Sequence, residues 1–159
     1  MVDCTNFSPN FLSPFGFQLI LDKIPSTKFF IQRARVPGLS LGKVSLGTPF
    51  VANHEAGNLQ FGEFSIDFII NESLDSYLDI QAWMFEKGNP ESFDTFKSDK
   101  YDGSLVILSN NKVSILEVKF TDIWPNSLTD IDFDSTLTEP TPIIATATFS
   151  FDNMSYHRL

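Results

Sequence analysis

Asp130, Asp132 and Asp134 in DIDFDST are the densest grouping of side chains able to do chemistry. Their D-x-D-x-D spacing opens like a calcium loop, because carboxylates at alternate positions can turn their oxygens onto one hard cation. Such a loop also needs Gly at its sixth position and Glu at its twelfth, where this chain has Ser135 and Thr141. The stretch reads instead as extended chain, with Ile131 and Phe133 inward and the three carboxylates in water, although low-affinity calcium binding is the competing reading. No structural metal and no cofactor are expected.

His54, His157 and Cys4 are the other candidates, and their spacing suggests neither a catalytic triad nor a zinc cluster. A P-loop and a dinucleotide fingerprint are both missing from the sequence. An enzyme working through a carboxylate pair would need two acids converging on one pocket. The sequence carries no sign of that convergence, so no catalytic residue is assigned and no enzymatic activity is expected.

The composition narrows the remaining classes. A chain of 159 residues is long enough for one domain with a proper core, and its 17 Phe residues supply bulky material suited to sheet packing. Twenty acidic against 11 basic residues give a net charge of -9, which disfavours nucleic-acid binding by charge. Cys4 has no partner for an internal disulfide, the first ten residues lack the pattern of a secretory leader, and no apolar run approaches the length of a membrane span. A soluble protein made in a reducing compartment is expected.

Alternation sets the strands. PFGFQLILD places Phe15, Phe17, Leu19 and Leu21 on one face, and FFIQRARV continues as a second strand. In EFSIDFII, Phe64, Ile66, Phe68 and Ile70 face one way, with Glu63, Ser65 and Asp67 the other. IIATATFSFD repeats the device, with Ala145, Ala147, Phe149 and Phe151 opposite Thr146, Thr148, Ser150 and Asp152. Neither polar face is expected to carry a cation.

GSLVILSNNKVSILEVKF is expected to form a hairpin turning through Ser109-Asn110-Asn111, with Asn supplying positive φ, and IWPNSL is interrupted at Pro125. ESFDTFKSDKYDG reads as a loop. Between the polar-faced strands the period changes to that of a helix over about 73–87, capped by Ser73 and stopped at Gly88-Asn89-Pro90. Leu74, Tyr77, Leu78, Ile80, Met84 and Phe85 share its apolar arc. Trp83 falls on the polar side, either under a neighbouring loop or at a subunit interface.

One segment resists assignment to the core. PGLSLGKVSLGTPFVANHEAGN, residues 37–58, is longer than most connections in a compact domain, yet carries Leu39, Leu41, Val44, Leu46, Phe50 and Val51. An apolar stretch of this length is costly to leave in water and hard to fold back into a core already rich in Phe.

The order of these features resembles the tail-tube proteins of contractile-tailed bacteriophages, relatives of the ring-forming tube protein of type VI secretion. The resemblance runs from about Asn10 to Asp152 and rests on RARVPG, NHEAGNLQFGEFSIDFIINE, SYLDIQAW, IWPNSL and ATATFSFD in that order. Where the family often has charged residues between Gly and Phe, this chain has Gly57-Asn58-Leu59-Gln60-Phe61.

The resemblance implies a mainly β, sandwich or barrel-like fold over 1–159, with one flanking helix and a long extended arm. The protein would form hexameric rings stacked into an inner tail tube through which DNA passes as cargo. The arm residues Leu39, Leu41, Val44, Leu46, Phe50 and Val51 would bridge copies, and Trp83 would be available as an interface residue. Glu63, Ser65, Asp67, Thr146, Thr148, Ser150 and Asp152 would line a hydrated, net negative lumen. Sheath and baseplate proteins would be its other partners and the virion tail its location, with no membrane involved. A tube initiator or baseplate hub adaptor of the same fold is the alternative within the family. A monomeric carbohydrate- or peptide-binding β-sandwich is the alternative outside it.

Overall fold

A computed structural model of the chain describes residues 11–25, 31–47, 50–51, 53–89, 100–136, 138–139 and 141–159. Cys4, Asn10, the start of FFIQRARV and most of ESFDTFKSDKYDG lie outside the described residues. In chain order the elements are β1 Phe17–Leu21, β2 Ile31–Arg35, β3 Leu39–Leu46, β4 Asn53–Phe61, β5 Phe64–Ile69, helix α1 Asp75–Gly88, β6 Gly103–Leu108, β7 Ser114–Thr121, β8 Trp124–Leu128, β9 Ile144–Ser150 and β10 Asn153–Arg158. The fold is mainly β, as expected.

Two four-stranded sheets, ordered β1-β6-β7-β10 and β2-β5-β9-β8, are antiparallel throughout, and β3 with β4 makes a separate two-stranded sheet. Alternation decides what each four-stranded sheet turns inward. Leu19, Leu105, Val118, Phe120 and Met154 come from the first; Phe64, Ile66, Phe68, Ala145, Ala147 and Phe149 come from the second. The sheets meet where Phe64 lies against Phe120, ring centroids 4.7 Å apart, a tilted pair that aromatic quadrupoles favour.

The helix turns differently from its expected arc. Ser76, Ile80 and Trp83 are its buried residues, with Tyr77 and Met84 beside them, whereas Leu78 and Phe85 are exposed. Trp83, at 1% exposure, is therefore core and is withdrawn as an interface candidate. Its indole packs edge-on to Tyr101 at 5.8 Å and against Phe149 at 6.0 Å. A large ring at i+7 from Ser76 outweighs the smaller apolar side chains that the wheel had grouped together.

The helix also starts later than expected. The Ser73 hydroxyl donates to the Asp75 carboxylate and accepts from Asn71 Nδ2 at 2.7 Å, so it does not cap a backbone N–H. Leu74 takes the N-cap position instead with φ 57°, a left-handed conformation rare for a bulky residue. Lys23 ties the helix to the first sheet's end, with Nζ 2.8 Å from Glu86 Oε2 and 3.0 Å from the Tyr101 hydroxyl. The hydrogen bond to Glu86, then that to Tyr101, holds the Lys23 ammonium above its ordinary pKa. Its contribution is thus complete below the usual lysine range and fades as pH rises through the raised value.

Other strand and turn expectations are corrected locally. The β6–β7 hairpin turns where predicted, but Lys112 rather than an Asn takes positive φ, at 59°. Asn110 is used differently: its side chain accepts from Ser13 N–H and donates to the Phe11 carbonyl. Pro125 does not interrupt a strand, because β8 is the sheet's edge and a missing N–H costs nothing on the open side. Phe15 and Phe133 point outward, at 91% and 77% exposure, and β10, which pairs with β7, went unrecognised in a stretch with one buried apolar residue, Met154.

Three substitutions test this account by urea unfolding, two destabilising and one stabilising. Trp83→Ala should cost about 3–5 kcal/mol, as for other buried large-to-small changes. Trp83→Phe should cost clearly less, because the indole Nε1 has no hydrogen-bond partner among the described residues. Lys112→Gly should raise stability by up to about 1 kcal/mol, since an L-residue is strained in the left-handed region.

Candidate assembly surfaces

The segment 37–58 is not an extended loop; most of it belongs to the β3–β4 hairpin. Its register pairs Leu39 with Phe61 and Leu41 with Leu59, then slips so that Lys43 pairs with Ala56, Val44 with Glu55 and Leu46 with Asn53. One residue of β3, Gly42, thus stands opposite two of β4, Gly57 and Asn58, which is a β-bulge. Glycine is required at this crossing: a Cβ on Gly57 would lie 3.1 Å from the Gly42 backbone and 3.3 Å from Val44 Cγ2.

The hairpin is rooted at one end. Gly62 N–H donates to the Gly38 carbonyl at 2.9 Å, and Phe61 packs on Phe151 with centroids 5.8 Å apart. Beyond that root every residue of β3 is exposed, and so are most of β4. Leu39, Leu41, Val44, Leu46, Val51 and Leu59 all stand in water, as does Phe50 at 95% exposure. An exposed apolar hairpin is an interaction surface by the usual logic of exposed patches. Leu59 was missed in the sequence because it sits in a run that reads as the start of the next strand.

The second surface is the outer face of the sheet β2-β5-β9-β8. Register brings Arg33, Asp67 and Thr146 into one cross-strand row, and Arg35, Ser65 and Thr148 into the next. Asp67 is not a wet lumen residue. Its side chain is 12% exposed, with Arg35 Nη2 at 3.2 Å, Arg33 Nη1 at 3.5 Å and the Thr146 hydroxyl donating at 2.8 Å.

Two cations therefore stand on the face that the single-strand reading left without any. Arg33 and Arg35 balance Asp67 and Glu63, so the face expected to be net negative is neutral instead. Alternation along FFIQRARV could have shown Arg33 and Arg35 sharing a face, but not that β2 lies beside β5. Glu63 remains exposed and accepts from Asn126 Nδ2 at 2.9 Å, while Thr146, Thr148 and Ser150 are half-buried. Trp124, opposite Ser150 in register, is a partly exposed ring at this face's edge that the sequence reading did not single out. Asp152 leaves the face altogether: it lies in the β9–β10 turn, 3.7 Å from Lys100 Nζ.

The residues considered for catalysis stay apart. His54 is exposed on β4 and His157 on β10. Ser155 Oγ lies 3.2 Å from His157 Nε2, the spacing of a nucleophile and its base, but on the open outer side of a sheet rather than in a cleft that could exclude water. Asp130, Asp132 and Asp134 are exposed beside an open groove of about 650 Å³ that Phe133 and Ile144 also line. Asp134 instead accepts from the hydroxyl and N–H of Thr136, which holds its carboxyl below the usual range. Among the described residues, no three His, Cys, Asp or Glu side chains converge as metal ligands, and no helix is long and apolar enough to cross a membrane.

The ion-pair row gives a direct test. Asp67→Ala should destabilise the chain by about 1–3 kcal/mol in urea unfolding, because the Thr146 hydroxyl loses its acceptor and two arginines are left adjacent. Glu63→Ala, which removes a wet carboxylate, should change stability by less than about 0.5 kcal/mol. Equal effects would show that the row contributes nothing.

No protein-family model matches the sequence, and no curated protein matches it. Solved structures match over nearly the whole chain. A chain of the cap that terminates the tube of the anti-feeding prophage is 12% identical, with 99% of each chain covered and a TM-score of 0.74. A chain of the sheath–tube complex of an extracellular contractile injection system, PVC, in its extended state is 12% identical, with 95% and 94% covered and a TM-score of 0.71. Hcp1 from Flavobacterium johnsoniae is 17% identical, with 92% and 94% covered and a TM-score of 0.55. The chain has the β-rich fold seen in these tube-bearing contractile assemblies and in Hcp1.

Proposed function

We propose that the protein is the repeating subunit of a tube, forming hexameric rings that stack into the inner tube of a contractile phage tail. One observation carries the reading: a fold shared end to end with chains of contractile assemblies leaves its apolar β3–β4 hairpin in water. A heterologous contact, in which this hairpin meets a different patch on the next copy, is the kind that closes rings and continues into stacks. The role is structural rather than enzymatic.

The outer face of the sheet β2-β5-β9-β8 would line the bore, and DNA would pass along it as cargo. Ser65, Thr146, Thr148 and Ser150 would keep that wall hydrated, and Asp67 would hold Arg33 and Arg35 down as ion pairs. Free arginines would bind phosphates one after another and retard a nucleic acid; paired ones bind them less. Sheath and baseplate proteins would be the tube's outer and terminal partners, with the finished particle as its location.

A second reading within the same fold is a tube terminator or initiator, supported by the match over 99% of both chains to a chain of a tube-terminating cap. Such a protein would make single rings and stop.

Negative-stain electron microscopy of concentrated full-length protein separates these readings. Long tubes of uniform bore are expected; single rings would favour the terminator, and a persistent monomer would leave a small binding module as the better description. Replacing residues 41–59 by a short Gly-Ser turn should abolish tubes while changing monomer stability by less than about 1 kcal/mol, because those side chains are already in water.

A further inference from the structure

The apolar residues of the hairpin change sides halfway along it. In β3 the spacing is Leu39-x-Leu41-x-x-Val44-x-Leu46, so strict alternation places the first pair on one face and the second on the other. A bulge in β3 would have absorbed the extra step and kept all four together. The bulge lies in β4 instead, at Gly57-Asn58, so β3 stays in phase and the switch is real.

Register then assigns the partners. On one face near the root stand Leu39, Leu41, Leu59 and Phe61; on the same face toward the tip come Lys43, Ala56, Ser45 and His54. The other face carries Ser40 and Gln60 near the root, then Val44 beside Glu55 and Leu46 beside Asn53 toward the tip. One face thus gathers four apolar side chains near the root, and the other has two, each beside a polar partner, toward the tip.

We infer that the hairpin is a two-sided wedge, its root half covered on one face by one neighbouring copy and its tip half covered on the opposite face by another. This deepens the tube reading and rests on it. At about 25 cal/mol per Å², a Leu worth 1.5–3 kcal/mol corresponds to roughly 60–120 Å², so three leucines fall far short of the ~800 Å² per partner of a standard interface. Neither half alone holds a copy, so each half adds to the other contacts that join the copies.

Charge explains why the partners are further copies of this chain. Copies with a net charge of -9 repel one another. Residues 39–61 carry one lysine, Lys43, and one glutamate, Glu55, so the wedge presents a neutral surface to an acidic neighbour. That lowers the repulsion a copy meets on approaching it.

Four aspartate substitutions in the full-length chain, each at an exposed site, test the wedge by the tubes they permit. Leu41→Asp and Leu46→Asp should each prevent tubes, whereas Ser40→Asp and Ser45→Asp, on the uncovered half-faces, should leave them normal. All four should keep the unfolding midpoint of the monomer. Loss with Leu41→Asp and Ser45→Asp alone would mean one face is covered from root to tip. Loss with Ser40→Asp and Leu46→Asp alone would mean the other is. Either result, loss with all four variants, or normal tubes with all four overturns the wedge while leaving the tube reading intact. An unmodified protein that never assembles overturns the tube reading itself, and the wedge with it.

Discussion

The contact on which the molecule depends is the meeting of Phe64 and Phe120 across the space between its two four-stranded sheets. Phe149 adds a third ring beside Phe64, and Trp83 brings the helix onto Phe149, so sheets and helix share one continuous aromatic cluster. Each of these side chains is buried, and a well-packed interior accepts little further volume without strain. The space between the sheets is full.

That fullness forces the placement of everything else. Among the described residues the hairpin β3–β4 pairs with itself alone in the sheet topology, and its leucines stand outside the buried core. A feature that would be a liability in a lone domain thereby becomes a surface held in place by a single rooted end, Phe61 on Phe151. Rigidity comes from the interstrand hydrogen bonds of the hairpin and reach from its length; apolar contact remains for whatever covers it.

The polar face shows the same dependence on tertiary pairing. Asp67 is brought to rest between Arg33 and Arg35 only because β2 lies antiparallel to β5 with that register. A one-residue slip of β2 would turn Arg33 and Arg35 to the interior and leave Asp67 without them, and unpaired buried charges are prohibitive. The row is therefore a consequence of the same apolar alternation that buries Phe64, Ile66 and Phe68 on the reverse side.

What the sequence by itself determined was local and periodic. The alternation of β1, β5 and β9, the β6–β7 hairpin, the existence of the helix and the exceptional character of residues 37–58 were all legible, because period-two and period-3.6 patterns are written residue by residue. The order of motifs also carried the fold. What tertiary structure decided was adjacency. The helix turned Trp83 inward and Leu78 and Phe85 outward because the gap beside Phe149 and Tyr101 takes a large ring, a fact no helical wheel contains. Arg33 and Arg35 were readable as a pair on one strand, but their neutralisation of Asp67 needed that residue, 32 positions beyond Arg35, to become a neighbour. The long connection became a hairpin because its two halves could find hydrogen bonds in each other, and the bulge at Gly57-Asn58 that divides its apolar faces exists only once that register is set.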